Sequence, residues 1–465
     1  MIPFPEAATC SSSRIVCMQR YGLKRLPVPM LSCMTRGACL LVALLLLSAC
    51  SSQRTLMPTP DIYAHGIMQP FAETLPAELK SVDVNILYAT DRVPTPREDG
   101  RLDYGIGREY SMAIGEAVVN IGGDTTWEKL ATDARSSERP KALNLSVVSV
   151  TEKTRGPGDS LVYYQEDGNL EMTVEGEQKL QAMTSTVYDM IRERLTIAPR
   201  KEVLIFVHGV ANKFDDALYA TTELWHYLGR EFVPIAYSWP AGRGGMLRGY
   251  TYDRESSEFT VFHFKRFVEW LATIPEVEGI HVISHSRGTD VALTAIRELT
   301  IEWRGRSETA LERFKLRNVV IAAPDINLEV SLQRTEREGT RWTAERWTTY
   351  TSPGDKAIGQ AEWLFGGGRI GKAGYDTIDT MAKMWSENST LADSTDRDAV
   401  IQYEGRSGGR HGHDYFRTNP AVSSDLVLAV RYGRSPGTEN GRPLEHVGGF
   451  FWRIDDNYLQ PPNKE

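Results

Sequence analysis

The chain has 465 residues and a net charge of −8 at pH 7, and 41% of its residues are hydrophobic and 25% charged. This composition is ordinary for a soluble globular protein. It excludes a disordered chain, a collagen-like repeat and a multi-span membrane protein. The length allows about one to three domains. The acidic balance argues against nucleic-acid binding, so we expect no nucleic-acid partner.

The N-terminal segment is predicted to be an export signal. Residues 38–47 form an apolar run after Arg36 that is too short to span a bilayer comfortably. The run ends in Leu47-Ser48-Ala49-Cys50, which resembles the lipobox of bacterial lipoproteins, in which the cysteine is lipidated. We therefore predict a signal peptide over residues 1–49, with Met34 as an alternative start, and lipidation of Cys50.

The residues after Cys50 indicate where the protein would reside. Ser51 follows the cysteine, and in lipoproteins a residue other than Asp at this position usually implies sorting to the outer membrane. Residues 50–80 are rich in Ser, Pro, Thr and Gln and predict a tether. We expect a protein exported across the inner membrane and lipid-anchored in the bacterial envelope, on the outer membrane and facing the periplasm.

Beyond the tether, strands come first and are then joined by helices. Apolar, β-branched stretches at 82–88, 113–121 and 143–150 predict strands, and 176–195 predicts a helix. From there strands and helices alternate, with strands at 203–207, 233–238, 280–283, 319–323, 348–351 and 400–403 and helices at 215–228, 252–272, 292–299, 326–337, 356–364 and 420–431. Such alternation predicts a mostly parallel sheet flanked by helices.

One strand leads into a nucleophile-like turn. The strand at 280–283 continues into Ser284-His285-Ser286-Arg287-Gly288, and a helix follows. This is the strand–turn–helix setting of the nucleophile elbow G-x-S-x-G, with Ser284 as a small replacement for the first glycine. Ser286 is therefore the predicted nucleophile, placed at a helix N-terminus that favours developing negative charge.

A serine nucleophile needs a base and an acid, which follow it in the chain order Ser, Asp or Glu, His. Three histidines satisfy this order, and we favour His413 over His411 and His446 because it lies between the last strand and the last helix. Asp355 follows the strand at 348–351 and is the preferred acid. Asp325 follows the preceding strand and stays an alternative, although its position also suits a helix N-cap.

The oxyanion hole is predicted from two backbone amides. The strand at 203–207 runs into His208-Gly209-Val210, and in such sheets this loop supplies one N–H while the residue after the nucleophile supplies the other. The predicted donors are the amides of Val210 and Arg287. The glycine allows close backbone approach, and we expect the His208 side chain only to pack.

Other features give a weaker functional indication. Segment 241–250 is a candidate flap, and three aromatic residues are candidates either for an acyl pocket or for the core: Phe214, Trp225 and Trp239. Residues 366–373 nearly match a phosphate-binding P-loop, but they follow a helix and Ala373 lacks the required hydroxyl. His413 and its neighbours lack a complete ligand set by spacing. We therefore expect no cofactor and no metal.

Taken in order, the motifs resemble a bacterial α/β-hydrolase family catalogued as domain of unknown function 900. The matching segments are residues 87–92, 206–212, 238–240, 252–256, 284–288, 322–325, 352–357 and 412–416. The resemblance implies an α/β-hydrolase fold over about 81–432 and supports Ser286, Asp355 and His413 as a catalytic triad. This chain has Arg287 where many members carry Met, and an insertion at about 384–411.

The expected architecture is an α/β-hydrolase core at 196–435, an N-terminal β-rich part of the same unit at 81–195 and a C-terminal tail at 436–465. The expected activity is that of a membrane-anchored serine esterase acting on a small-molecule or lipid ester, by analogy with the fold. Two alternatives stay open. One is a non-catalytic envelope lipoprotein that binds a partner through this scaffold, and the other is an acyltransferase using the same residues.

Overall fold

The computed structural model describes residues 54–158, 163–377, 397–405 and 412–460. The predicted signal peptide, Cys50, His411 and most of the insertion at 384–411 lie outside these residues. The described residues all belong to one compact unit. Within the described part of the chain, no helix combines the length and the apolar character needed to cross a membrane.

Each of the nine predicted strands overlaps a strand of the structure. The strands are β1 (Asp83–Pro94), β2 (Tyr104–Ile121), β3 (Leu145–Arg155), β4 (Tyr163–Glu166), β5 (Asn169–Met172), β6 (Glu202–Val207), β7 (Val233–Ser238), β8 (Gly279–His285), β9 (Leu316–Ala322), β10 (Ala344–Thr351), β11 (Asp398–Tyr403), β12 (Glu445–Gly448) and β13 (Phe451–Ile454). Four short strands, β4, β5, β12 and β13, were not predicted.

The helices fill the connections between strands. They are α1 (Asp61–Ala64), α2 (Trp127–Asp133), α3 (Val174–Ile197), α4 (Phe214–Tyr227), α5 (Met246–Thr273), α6 (Gly288–Trp303), α7 (Ala310–Phe314), α8 (Leu328–Leu332), α9 (Lys356–Phe365), α10 (Tyr415–Thr418) and α11 (Pro420–Val430). Single 3₁₀ turns occur at Ala77–Leu79, Thr340–Thr343, Ile370–Lys372 and Thr438–Asn440, and a π turn follows α8 at Gln333–Arg337.

Eleven strands form one sheet in the order β12-β13-β11-β10-β9-β8-β6-β7-β1-β2-β3. Neighbouring strands from β13 to β1 run parallel, whereas β2, β3 and β12 join antiparallel at the two edges. Parallel neighbours need crossover connections, and the helices supply them. The predicted mostly parallel sheet with a β-rich N-terminal extension is confirmed.

Two hydrophobic cores cover the two faces of this sheet. On β6, Leu204 and Phe206 face the core that contains α4 and α11, while the alternate residues Val203, Ile205 and Val207 face the core that contains α3, α5 and α6. A strand buried on both faces reads as a continuous apolar run rather than an alternating one. This explains why the central strands were predictable from their hydrophobicity.

Residues 54–80 are packed against the protein, so the expected tether is wrong from residue 54 onward. Leu56, Met57, Ile62 and Tyr63 are buried in the core beside α4 and α11. Arg139 fastens the segment, because its Nη1 donates to the carbonyl of Leu56 at 3.0 Å. Burial of these apolar side chains outweighs the polar composition that favoured a free linker.

The expected C-terminal tail also belongs to the sheet. Strand β13 pairs in parallel with β11, with Val400 opposite Phe451, and β12 pairs with β13. The predicted helix at 326–337 is shorter than expected, since α8 ends at Leu332 and a π turn follows. The candidate flap at 241–250 is partly regular, because α5 begins within it.

Candidate active site

The turn between β8 and α6 holds Ser286 in a strained backbone conformation. Its φ is +54°, in the left-handed region that residues with a side chain rarely adopt. The neighbouring strand end fixes this turn, since Ser286 N donates to the carbonyl of Ala322 at 3.0 Å and Asp325 N donates to the carbonyl of Ser286 at 3.2 Å. The serine therefore lies at the carboxyl edge of the parallel sheet, as an elbow requires.

Two glycines let the loop after β6 lie directly against this elbow. A Cβ at Gly288 would lie 2.2 Å from the carbonyl oxygen of His208, so no larger residue fits there without moving the backbone. A Cβ at Gly209 would lie 2.7 Å from the Cβ of Ser286. The loop predicted to supply an oxyanion donor is thus in van der Waals contact with the predicted nucleophile.

Asp355 and His413 form a buried hydrogen-bonded pair. Asp355 caps α9, because its Oδ1 accepts from the amides of Ala357 and Ile358, both at 3.0 Å. Its Oδ2 lies 2.7 Å from Nδ1 of His413, and the carboxylate is fully buried. Each carboxylate oxygen therefore has its own partner, which fixes the direction in which the acid presents itself to the imidazole.

The surroundings of His413 stabilise its protonated form. Burial lowers the pKa of its imidazole, but the hydrogen bond and the negative charge of Asp355 exceed that effect and raise the pKa above its ordinary value. The ring also packs against His285, the residue before Ser286, with the ring centroids 4.6 Å apart. The predicted base and the predicted nucleophile are therefore carried by adjacent loops.

Asp325, the alternative acid, and His446, an alternative base, contact groups other than the triad residues. The two oxygens of Asp325 face other groups, since the Tyr250 hydroxyl donates to Oδ2 and Arg369 lies 3.6 Å from Oδ1. The N-cap of α8 is Asn327 rather than Asp325, so the N-cap interpretation of Asp325 is also wrong. His446 lies in β12 with its Nε2 2.8 Å from the carbonyl of Gly449.

The predicted oxyanion donors have free amides in the described part of the chain, where neither Val210 N nor Arg287 N has a protein acceptor. Asp253 of α5 fixes the first donor's loop by accepting from the amide of Ala211 at 2.8 Å and from that of Gly242 at 3.2 Å. Ala211 has a φ of +61°, so this carboxylate holds a strained turn in place.

A buried arginine, Arg92, also holds the loop after β6 through hydrogen bonds. Arg92 donates from Nη2 to the carbonyl of Asn212 at 2.9 Å and lies 3.2 Å from Nε2 of His208. Burial lowers the pKa of Arg92 to about 10. The His208 ring stacks on Trp239, with the centroids 5.0 Å apart, so this histidine packs as the sequence predicts.

The side chain of Arg287 turns away from the elbow. Its Nη2 donates to Asp290 at 2.6 Å and its Nη1 donates to the carbonyl of Asp325 at 3.0 Å. The three aromatic candidates for an acyl pocket belong to the core, and all are buried: Phe214, Trp225 and Trp239. Among the described residues, no group of three or more His, Cys, Asp or Glu is placed to hold a metal ion.

Comparison with known protein families identifies the family of this chain. Residues 184–431 match the family described as "Alpha/beta hydrolase of unknown function (DUF900)". The chain belongs to this family. The match begins later than the expected start near residue 81, so β1, β2 and β3 precede the matched region. All three predicted triad residues lie within it, and the α/β-hydrolase fold is confirmed.

Solved structures with some likeness to this family member include two esterases. An esterase from Pyrococcus furiosus is 11% identical with a TM-score of 0.30, over 81% of this chain and 96% of its own. Esterase 2 from Thermogutta terrifontis, phosphoramylated by tabun, is 13% identical with a TM-score of 0.27, over 53% of this chain and 85% of its own. No curated protein matches the sequence.

Two residues of the site were missed by reasoning from the sequence. His285 contacts His413, but the chain-order rule set it aside because it precedes the nucleophile. Asp253 lies in a quoted family motif, yet nothing in the sequence indicated that it would reach the loop after β6 from a helix some forty residues later. Only the packing of α5 against the sheet edge brings it there.

Proposed function

We propose that this DUF900 protein is a serine hydrolase that cleaves carboxylic esters. Ser286 is the nucleophile, His413 the base and Asp355 the acid that orients it. The observation that supports this assignment is the 2.7 Å hydrogen bond between Asp355 and His413, formed next to the elbow that presents Ser286. The substrate class is a small-molecule or lipid ester.

The reaction proceeds in two stages on these residues. Ser286 Oγ attacks the ester carbonyl carbon while His413 Nε2 takes the hydroxyl proton. The carbonyl oxygen becomes an oxyanion and accepts hydrogen bonds from the amides of Val210 and Arg287. When the intermediate collapses, the alcohol leaves with the proton from His413. Water then attacks the acyl-serine carbonyl while His413 takes a proton from it; when this second intermediate collapses, His413 returns the proton to Ser286 Oγ and the carboxylic acid is released.

Asp355 contributes by holding the imidazole and stabilising its charge. Because Nδ1 of His413 donates to Asp355, the other ring nitrogen is left with a lone pair for the serine proton. The carboxylate raises the pKa of His413, so the imidazolium that forms during attack is favoured. The backbone N–H groups of Ala357 and Ile358 at the start of α9 hold this carboxylate in place.

The test is active-site labelling of the full-length protein in detergent. We expect a fluorophosphonate probe to label the wild type and not Ser286→Ala, while Ser331→Ala, which removes another buried hydroxyl outside the site, keeps the label. A series of p-nitrophenyl esters of increasing acyl length then measures the preferred chain. A folded wild type that neither labels nor hydrolyses any ester would refute the proposal.

We also propose that the chain is lipid-anchored through Cys50, on the strength of the lipobox-like Leu47-Ser48-Ala49-Cys50. Metabolic labelling with an alkyne fatty acid tests this in bacterial cells. The wild type should take up the label and fractionate with the outer membrane. Cys50→Ser should take up none, and equal labelling of both proteins would contradict the anchor.

A further inference from the structure

A buried carboxylate links the first residues of the folded unit to the loop that carries His413. Glu223 of α4 is fully buried, and its Oε2 accepts from Arg54 Nη2 at 2.8 Å and from Arg417 Nη1 at 3.2 Å. Its Oε1 has no hydrogen-bond partner among the described residues. A buried ionised carboxylate is tolerated only when it is well paired, so Glu223 depends on both arginines.

The second arginine continues toward the active site. Arg417 Nη2 forms an ion pair with Asp414 Oδ2 at 2.9 Å, and Asp414 directly follows His413. The other oxygen of Asp414 lies 3.7 Å from Nε2 of His285. Burial would raise the pKa of Asp414, but Arg417 and the nearby histidines outweigh it and hold that pKa well below its usual range.

We propose that Arg54 is a positioning residue for His413, acting through the chain of charges Arg54, Glu223, Arg417 and Asp414. The inference rests on the proposed function, because it assigns His413 the role of base. Arg54 lies four residues after Cys50 in the sequence. The segment nearest the proposed lipid anchor thus sets the geometry of the active site.

The physical reason is competition for Arg417. In the intact protein Arg54 shares the neutralisation of Glu223, and Arg417 can also hold Asp414. Without Arg54, Arg417 is the counter-charge left for the fully buried carboxylate of Glu223. The attraction between these two charges is strong because the protein interior has a low dielectric constant. Arg417 is then drawn toward Glu223 and away from Asp414, which releases the loop that bears His413.

The experiment compares variants of the full-length protein in detergent. Arg54→Ala should slow inactivation by a fluorophosphonate about 10-fold, less than the roughly 10²-fold that a 1 Å misplacement of a catalytic group can cost. Arg54→Lys should restore most of the rate because it keeps the charge. Glu223→Gln in the Arg54→Ala background should also restore it, because the buried charge that draws Arg417 is gone.

Arg139→Ala is the matched control. Arg139 fastens the same N-terminal segment through Leu56 and Thr59 but is not part of the charge chain. It should lower the melting temperature without slowing inactivation. If Arg54→Ala and Arg139→Ala slow the probe equally, or if Glu223→Gln gives no rescue, Arg54 acts only by general stabilisation and the proposal is wrong.

A readout independent of activity separates this inference from the proposed function. In the Ser286→Ala background, the imidazole carbon–proton signals of His413 can be followed by NMR. Arg54→Ala should shift and broaden them, and Arg139→Ala should not. An unchanged His413 signal in Arg54→Ala would overturn the role of Arg54 even where no ester is hydrolysed, whereas a shifted signal without labelling of the wild type would overturn only the esterase assignment.

Discussion

Replacing Asp355 by Asn separates its catalytic role from its structural one. The backbone N–H groups of Ala357 and Ile358 donate two hydrogen bonds to Oδ1 of Asp355, and the side-chain oxygen of an Asn can accept both. Its amide nitrogen then faces Nδ1 of His413, where the carboxylate oxygen lies at 2.7 Å in the wild type. Because that nitrogen is a donor, His413 must turn its lone pair toward it and carry its proton on Nε2.

The expected loss of activity is large because this tautomer cannot accept the serine proton. A loss of about 10⁴-fold in kcat is the scale found when a triad Asp becomes Asn. That corresponds to about 5.5 kcal/mol of activation free energy. The helix cap survives, so we expect Asp355→Asn to lower the free energy of unfolding by about 1 kcal/mol.

Asp355→Ala should behave differently in stability and similarly in activity. It removes the cap, which costs about 0.5–2 kcal/mol, and leaves His413 without its partner, which adds about 1–3 kcal/mol. Thermal and denaturant unfolding measure the stability difference, and p-nitrophenyl acetate hydrolysis measures kcat. Asp325→Asn is the matched control, since Asp325 is a buried carboxylate at the neighbouring strand end. An Asp355→Asn protein with near-wild-type kcat, beside an inactive Asp325→Asn, would refute the assignment of the acid.

Three further outcomes follow from the site. Since His413 must be neutral to accept a proton and its pKa is raised, kcat/KM should fall as pH drops, with a midpoint above the ordinary histidine value of about 6.5; a pH–rate profile with a midpoint at or below that value would contradict this. Gly288→Ala should lower the free energy of unfolding by about 1–3 kcal/mol and abolish probe labelling, because its Cβ would meet the carbonyl of His208; an unchanged melting temperature would count against the tight elbow. Asp253→Ala should lower kcat more than it raises KM, because the strained turn beside Val210 loses its brace; a pure KM effect would show that the turn does not position an oxyanion donor.

The central fold could be predicted because its strands are buried on both faces. The predicted strand at 203–207 agrees with β6 (Glu202–Val207), and the predicted strand at 233–238 agrees with β7. A short, continuous apolar run bounded by polar residues is typical of a strand that is buried on both faces. The elbow was predictable for the same reason, as it combines such a run with small residues at fixed spacing. The family match confirms the α/β-hydrolase fold of this part of the chain.

The periphery was harder because tertiary contacts decide it. Leu56 and Tyr63 lie in a segment with four prolines, at positions 58, 60, 70 and 76, and both are buried in the core that contains α4 and α11. Strand β13 is four residues long and is recognisable as a strand only once β11 lies beside it. Neither segment has a local periodicity that distinguishes it from a linker.

The choice between the two acids shows what the sequence leaves undecided and what packing decides. Asp325 and Asp355 each follow a parallel strand, so chain order and strand position admit both. What distinguishes them is the residues they meet. The side chain of Asp325 is turned toward Tyr250 and Arg369, and its backbone N–H donates to the carbonyl of Ser286 in the elbow. Asp355 is the N-cap of α9. Two backbone N–H groups of this helix donate to Oδ1, so that Oδ2 is directed toward His413. A carboxylate whose first oxygen is fixed by a helix N-terminus presents its second oxygen in a defined direction, which is what an orienting acid requires.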